Sequence, residues 1–143
     1  MPLVLFDTNI IIDALNGIPE AAQELDYYTH PAISTVTWME LIAGASFREQ
    51  PRTHAFLVSI GFDVIQTNEA IMIEAATLRG ASLLRPPKIS LLDAIIKATA
   101  NVTGRLIITR NKKDFSGPNI RIPYELDTQT IVHVINVVPP PAP

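Results

Sequence analysis

Two short, wholly apolar runs constrain this chain more than any other feature. Leu3–Phe6 ends in the polar triplet Asp7-Thr8-Asn9, and Leu106–Ile108 ends in Thr109-Arg110-Asn111. Apolar runs without alternation suit strands buried on both faces, as in parallel sheets. Parallel neighbours need crossovers, usually helical, and the sequence between the runs supplies them. Ile10–Asn16 reads as a helix stopped by Gly17, and Pro19 opens a second through about Tyr28. His30–Ser34 reads as a strand, and Thr35 or Thr37 caps a helix to about Phe47. Arg52–Ile60 is a further helix closed by Gly61, followed by a strand over Phe62–Gln66. Asn68 caps a helix to Arg79 with Gly80 behind it, and Ala81–Ile89 reads as a loop. Ser90 caps a long helix to about Thr103, ended by Gly104, and Ile120–Ile122 offers a last strand. The alternation predicts an α/β fold of three layers, α/β/α, with a mostly parallel sheet and helices on both faces. Ligands of such sheets bind beyond the carboxyl ends of the strands, where both triplets fall.

At 143 residues the chain is the length of one domain, and with 48% hydrophobic and 17% charged residues it can build a packed core. The absence of Cys excludes disulfide scaffolds, thiolate zinc sites, iron–sulfur centres and thiol catalysis. No apolar run approaches 18 residues, so no spanning helix is expected. The opening MPLVLFDTN has no basic region and meets an acid at position 7, which predicts no secretory signal and a cytoplasmic protein. The PPPAP end is expected to fray.

Four of the 14 acids stand where solvation does not explain them. Asp7 ends a buried strand. Glu40 lies in TWMELIAGA, Asp93 in SLLDAIIKATA, and Asp114 just after the second apolar run. Each has a plain structural alternative. Asp7 can cap a helix, and Glu40 stands three residues after Thr37 at capping-box spacing. Asp93 can form a capping box with Ser90 or an ion pair with Lys97, and Asp114 can be a loop acid. None of these accounts for the set, because the topology gathers all four at one sheet edge. Clustered carboxylates repel one another unless a cation neutralises them. An all-oxygen cluster without Cys or a suitably spaced His points to Mg²⁺, with Mn²⁺ as substitute, and away from zinc.

The neighbours of these acids suit phosphate chemistry. Thr8, Asn9, Thr109 and Asn111 are candidates for orienting water or substrate, and Arg110, Lys112, Lys113 and Lys97 are candidate contacts for a polyanion, RNA among them. The formal charge of -3 comes from 11 basic and 14 acidic residues; setting the four acids aside leaves 11 against 10. Net acidity is therefore no obstacle to a nucleic-acid substrate.

At this point the chain resembles a PIN domain, most closely the VapC-type toxin ribonucleases. LFDTNIIID, TVTWMELIAG, LLDAIIKATA and LIITRNKKDF are similar to the family's four motifs, in order. The resemblance implies a PIN-like metal-dependent endoribonuclease with Asp7, Glu40, Asp93 and Asp114 as catalytic acids, of which Asp7, Asp93 and Asp114 hold the metal. It further implies an RNA substrate, a small VapB-type antitoxin as partner and a homodimer. Residues 1–127 are expected to form the nuclease domain and 128–143 an extension, whose apolar run Ile131–Val138 pairs with a sheet edge, joins a dimer interface or packs on its own domain. Pro86-Pro87 departs from the family pattern by stiffening the loop before the third motif.

Two rivals remain at this level. A phosphatase of the haloacid dehalogenase type wants a second Asp two residues after the first, where this chain has Asn9. A PIN-like binding module would hold an ion for stability without turnover. Trp38 is expected in packing, and His30, His54 and His133 outside any site.

Overall fold

The computed structural model of the protein describes residues 1–127 and 132–142. Five parallel strands make the central sheet: β1 (Val4–Phe6), β2 (Pro31–Ser34), β3 (Asp63–Ile65), β4 (Leu106–Ile108) and β5 (Ile120–Arg121), in the order β3-β2-β1-β4-β5. Six helices connect them: α1 (Thr8–Leu15), α2 (Pro19–Tyr27), α3 (Thr35–Gly44), α4 (Gln50–Ile60), α5 (Glu69–Leu84) and α6 (Leu91–Thr103). A separate antiparallel pair joins β6 (Glu125–Asp127) to β7 (His133–Ile135). Among the described residues no helix is long and apolar enough to cross a membrane.

Because side chains alternate along a strand, β1 serves two cores. Val4 and Phe6 face the larger one, with Ile10, Ile11, Leu25, Ile33, Leu41, Leu57 and Ile108. Leu5 faces the other, with Ile96, Ala100, Ile107 and Phe115. Helices α1 to α4 therefore cover one face and α6 the other, with α5 packed on α6 through Ile71, Ala75, Ala94 and Ala98. Full burial of side chains as large as Phe6 and Ile108 contributes about 1.5–3 kcal/mol each.

Several boundaries differ from the sequence reading. Helix α5 does not stop at Arg79. It runs through Gly80 to Leu84, because Leu78 and Ser82 continue the face that packs toward α6 and the segment before it. The helix ends at Arg85, before Pro86-Pro87, where a proline disfavours helical backbone in the preceding residue. Helix α3 is capped by neither Thr35 nor Thr37: the Ser34 hydroxyl accepts from the Val36 N–H at 3.1 Å, and the helix ends at Gly44 rather than Phe47. Helix α4 begins two residues early, with Pro51 in its first turn. In the run Ile131–Val138, Ile131 lies outside the described residues. Its continuation β7 pairs with β6 rather than with the main sheet, and Val134 and Leu126 pack against the larger core.

Candidate active site

Parallel register builds the site. Phe6 pairs with Ile108, and the Asp7 N–H donates to the Ile108 carbonyl at 2.9 Å. The first residues past the two strands, Asp7 and Thr109, are therefore neighbours although 102 positions apart. The Thr109 hydroxyl donates to Asp7 Oδ2 at 2.7 Å, and the Asn9 amide donates to the same oxygen at 3.2 Å. Asp7 Oδ1 accepts from the Thr8 N–H at 2.7 Å and so caps α1. The capping alternative for Asp7 and its place in the cluster thus hold together.

The second strand-to-helix turn delivers Glu40. The Thr8 hydroxyl donates to Glu40 Oε1 at 2.8 Å and lies 3.1 Å from the Thr37 hydroxyl. Since Ser34 is the cap of α3, Glu40 is not part of a capping box there. Asp93 sits in the first turn of α6, and its N–H donates to Ser90 Oγ at 3.1 Å. It forms no ion pair with Lys97 among the described residues. Asp114 is held by the Asn111 side chain, whose Nδ2 donates to Asp114 Oδ2 at 3.1 Å and whose Oδ1 accepts from the Asp114 N–H. Asn111 in turn donates its N–H to the Thr109 hydroxyl.

Electrostatics join the four acids. Burial raises the Asp7 carboxyl to about 6; Thr109 and Thr8 donors oppose the rise, and the charges of Asp93 and Glu40 add to it. Burial also raises Asp93, with Asp114 and Glu40 adding repulsion. Each acid thus feels at least one other. Among the described residues no three His, Asp or Glu side chains form a ready metal-holding group. The donor set nonetheless fits a hard cation in kind: carboxylates, hydroxyls and amides, with unneutralised negative charge.

The raised Asp7 has a measurable consequence. Its native value lies above the unfolded one, so the native state binds more protons between them. This group's stability contribution is full below about pH 4 and is lost as pH rises through about 6. The loss reaches about 3 kcal/mol at neutral pH in chelator, as an upper value. Denaturation curves from pH 4 to 8 are expected to show wild type falling relative to Asp7→Asn over that window; parallel curves would contradict it.

Other acids are as deeply buried as Asp7, and the sequence reading passed over them. Asp13 is 3% exposed and Glu24 1%. Arg110 grips Asp13 with two bonds, Nε to Oδ2 at 2.5 Å and Nη2 to Oδ1 at 3.0 Å, and the Tyr124 hydroxyl donates to Oδ2 at 2.6 Å. Arg121 grips Glu24 in the same way. For Asp13 the available signal was an acid in an otherwise apolar helix, the same signal that selected Glu40; Glu24 stands among Glu20, Gln23 and Asp26 and carries no such signal. Two of the basic candidates for RNA contact pair with acids of the same chain: Arg110 with Asp13, and Lys112, which stays largely exposed, with Glu125. The Lys112 and Asn136 donors hold the Glu125 carboxyl below its ordinary value. Lys113 is exposed and Lys97 half-buried, and neither is in an ion pair among the described residues. Trp38 packs against the larger core, edge-on to His54.

Comparison with known proteins agrees with this geometry. A model of the PIN domain family matches residues 4–117. A structure described as a toxin–antitoxin complex from Klebsiella pneumoniae superposes with a TM-score of 0.74 at 40% identity, covering 85% of this chain and 98% of that one. The tRNA(fMet)-specific endonuclease VapC of Shigella flexneri is 27% identical over 117 residues, 78% of this chain and 88% of that protein. The DNA-bound VapBC of Salmonella typhimurium shares the fold, with a TM-score of 0.70 at 24% identity, covering 85% of this chain and 96% of that one. With the family model matched over most of its length, the chain belongs to the PIN domain family, as a protein of VapC type.

Proposed function

We propose that the protein is the ribonuclease toxin of a VapBC-type toxin–antitoxin pair, a hydrolase that cuts RNA phosphodiester bonds endonucleolytically. One observation carries the reading. The buried acids Asp13 and Glu24 each have an arginine, whereas Asp7, Glu40, Asp93 and Asp114 share one field and have no cationic partner among the described residues. Unpaired carboxylates held together are unfavourable for stability and are explained by a cation that joins them in function.

PIN nucleases are typically metal-dependent. Here Asp7, Asp93 and Asp114 would hold Mg²⁺ or Mn²⁺, which supplies the positive charge that polarises a phosphodiester and acidifies water. Glu40, oriented by Thr8, accepts a proton from the attacking water. Asn9 and Thr109 fix the Asp7 carboxylate, and Asn111 fixes Asp114. Lys97 and Lys113 meet substrate phosphates. Relatives of this type support an RNA of the tRNA class as substrate and a VapB-type antitoxin as partner; a homodimer acting in the cytoplasm completes the reading.

The test is cleavage of a tRNA pool by purified, antitoxin-free protein. Cutting is expected with Mg²⁺ or Mn²⁺ and none in EDTA. Undiminished cutting in EDTA would remove the metal, and no cutting with either ion would favour a binding module.

A further inference from the structure

The loop after β4 has two sets of side chains. Thr109, Asn111 and Asp114 build the site. Arg110 and Lys112, interleaved with them, go elsewhere, and their partners converge on one short segment. Arg110 reaches Asp13, which also accepts from the Tyr124 hydroxyl. Lys112 pairs with Glu125, which also accepts from the Asn136 amide. Tyr124 and Glu125 are consecutive, and both lie past residues 4–117, the range the family model matches.

The first anchor connects to the chemistry. The Arg110 N–H donates to Asn9 Oδ1 at 3.2 Å, and the Asn9 amide donates to Asp7 Oδ2 at 3.2 Å. Fixing Arg110 therefore fixes the residue that aims Asp7. The second anchor lies two residues before Asp114. Within the loop itself the backbone contributes little: Lys112 N–H to the Arg110 carbonyl at 3.1 Å and Phe115 N–H to the Asn111 carbonyl at 3.2 Å. The Asn111 side chain bonds Asp114 directly, and the Lys112–Glu125 pair adds a hold on the same loop from outside it.

We propose that Tyr124-Glu125 is a positioning element for the nuclease site, holding the 110–114 loop through Asp13–Arg110 and through Lys112. Arg110 and Lys112 then set loop geometry and do not touch RNA. The proposal rests on the ribonuclease reading. Sites of this kind need placement within about 0.5 Å, and a displacement of about 1 Å costs on the order of 10²-fold in rate.

The test uses the full chain with Tyr124→Phe, Glu125→Gln, both together, Glu125→Lys alone, and the exchange Lys112→Glu with Glu125→Lys. Three readouts are taken: calorimetric Mn²⁺ binding to metal-free protein, KM for RNA, and kcat. Each single variant is expected to lower kcat about 10-fold and weaken Mn²⁺ binding several-fold, with KM within about twofold; the double loses about 100-fold in kcat. The exchange is expected to recover most of what Glu125→Lys alone loses. A folded double variant with unchanged kcat and Mn²⁺ affinity would overturn the proposal. So would a loss confined to KM without recovery on exchange, which would make Lys112 an RNA contact. If wild type cuts no RNA but these variants still lose Mn²⁺ affinity, the ribonuclease reading fails and the positioning role stands.

Discussion

Asp7→Asn is expected to lose RNA cleavage by on the order of 10³-fold or more while melting higher than wild type in chelator at pH 7.5. Both effects come from one oxygen pair. Asp7 is 5% exposed, faces the charges of Asp93 and Glu40, and has its carboxyl pushed to about 6. At neutral pH it is therefore held ionised against its surroundings. An amide removes that charge and still caps α1 through its carbonyl oxygen; its nitrogen can donate to the Thr109 hydroxyl but forfeits the bond from Asn9, which offsets part of the gain. The expected gain is about 1–3 kcal/mol, several degrees in Tm for a chain of this size. It should shrink toward pH 4, where the wild-type acid is protonated, and shrink again when Mn²⁺ is added to wild type. The measurement is paired: single-turnover cleavage with Mg²⁺, and thermal melts in EDTA at two pH values. A variant that melts below wild type at pH 7.5 would show that the charge serves the fold.

Glu24→Ala is expected to do the opposite, destabilising strongly with no direct contact to the site. Glu24 and Arg121 lie on α2 and β5, with side chains only 2% and 13% exposed. Arg121 also donates to the Val138 carbonyl at 2.6 Å, which ties down the chain beyond β7. Removing one partner leaves a guanidinium buried without its counter-charge, a cost of about 3–5 kcal/mol. Tm should fall on the order of 10 °C or more. Glu24→Leu combined with Arg121→Leu should recover much of this, since apolar replacement of a whole buried pair is often near neutral. Urea denaturation of the three proteins decides it. A Glu24→Ala loss under 1 kcal/mol would mean water reaches Arg121 readily.

Together these two variants show what the sequence conveyed and what it withheld. Asp7 and Thr109 were legible because each follows an apolar run, and strand ends are where such sheets keep their chemistry. The helix starts at Ser90 and Asn68 were legible from local capping chemistry, and both caps are present. Acidity in an apolar context was a weaker guide than it looked. It selected Glu40, whose residue is exposed, and passed over Asp13 and Glu24. What separates site acids from structural acids is the missing arginine, and each arginine lies 97 positions from its acid. No local window contains that information. Nor does any local window show that Arg110 pairs with Asp13 and Lys112 with Glu125, which become neighbours only in the fold. Gly80 was read as a stop because glycine is a poor helix former, but the packing of α5 on α6 outweighs a cost of about 1 kcal/mol.

The order of strands in the sheet also governs when this protein becomes dangerous to the cell that makes it. The first strand synthesised is the central one, and its neighbour on the site side, β4, comes about a hundred residues later. A nascent chain that has emerged only through α6 carries Asp7, Glu40 and Asp93, yet it lacks the strand that seats Asp7, the hydroxyl that binds it, and Asp114. Contacts so distant in sequence form late. During translation, then, the partners that β4 supplies to Asp7 are added only after most of the chain has been made. A transcript cut short before Thr109 yields a fragment without the strand that seats Asp7 and without Asp114.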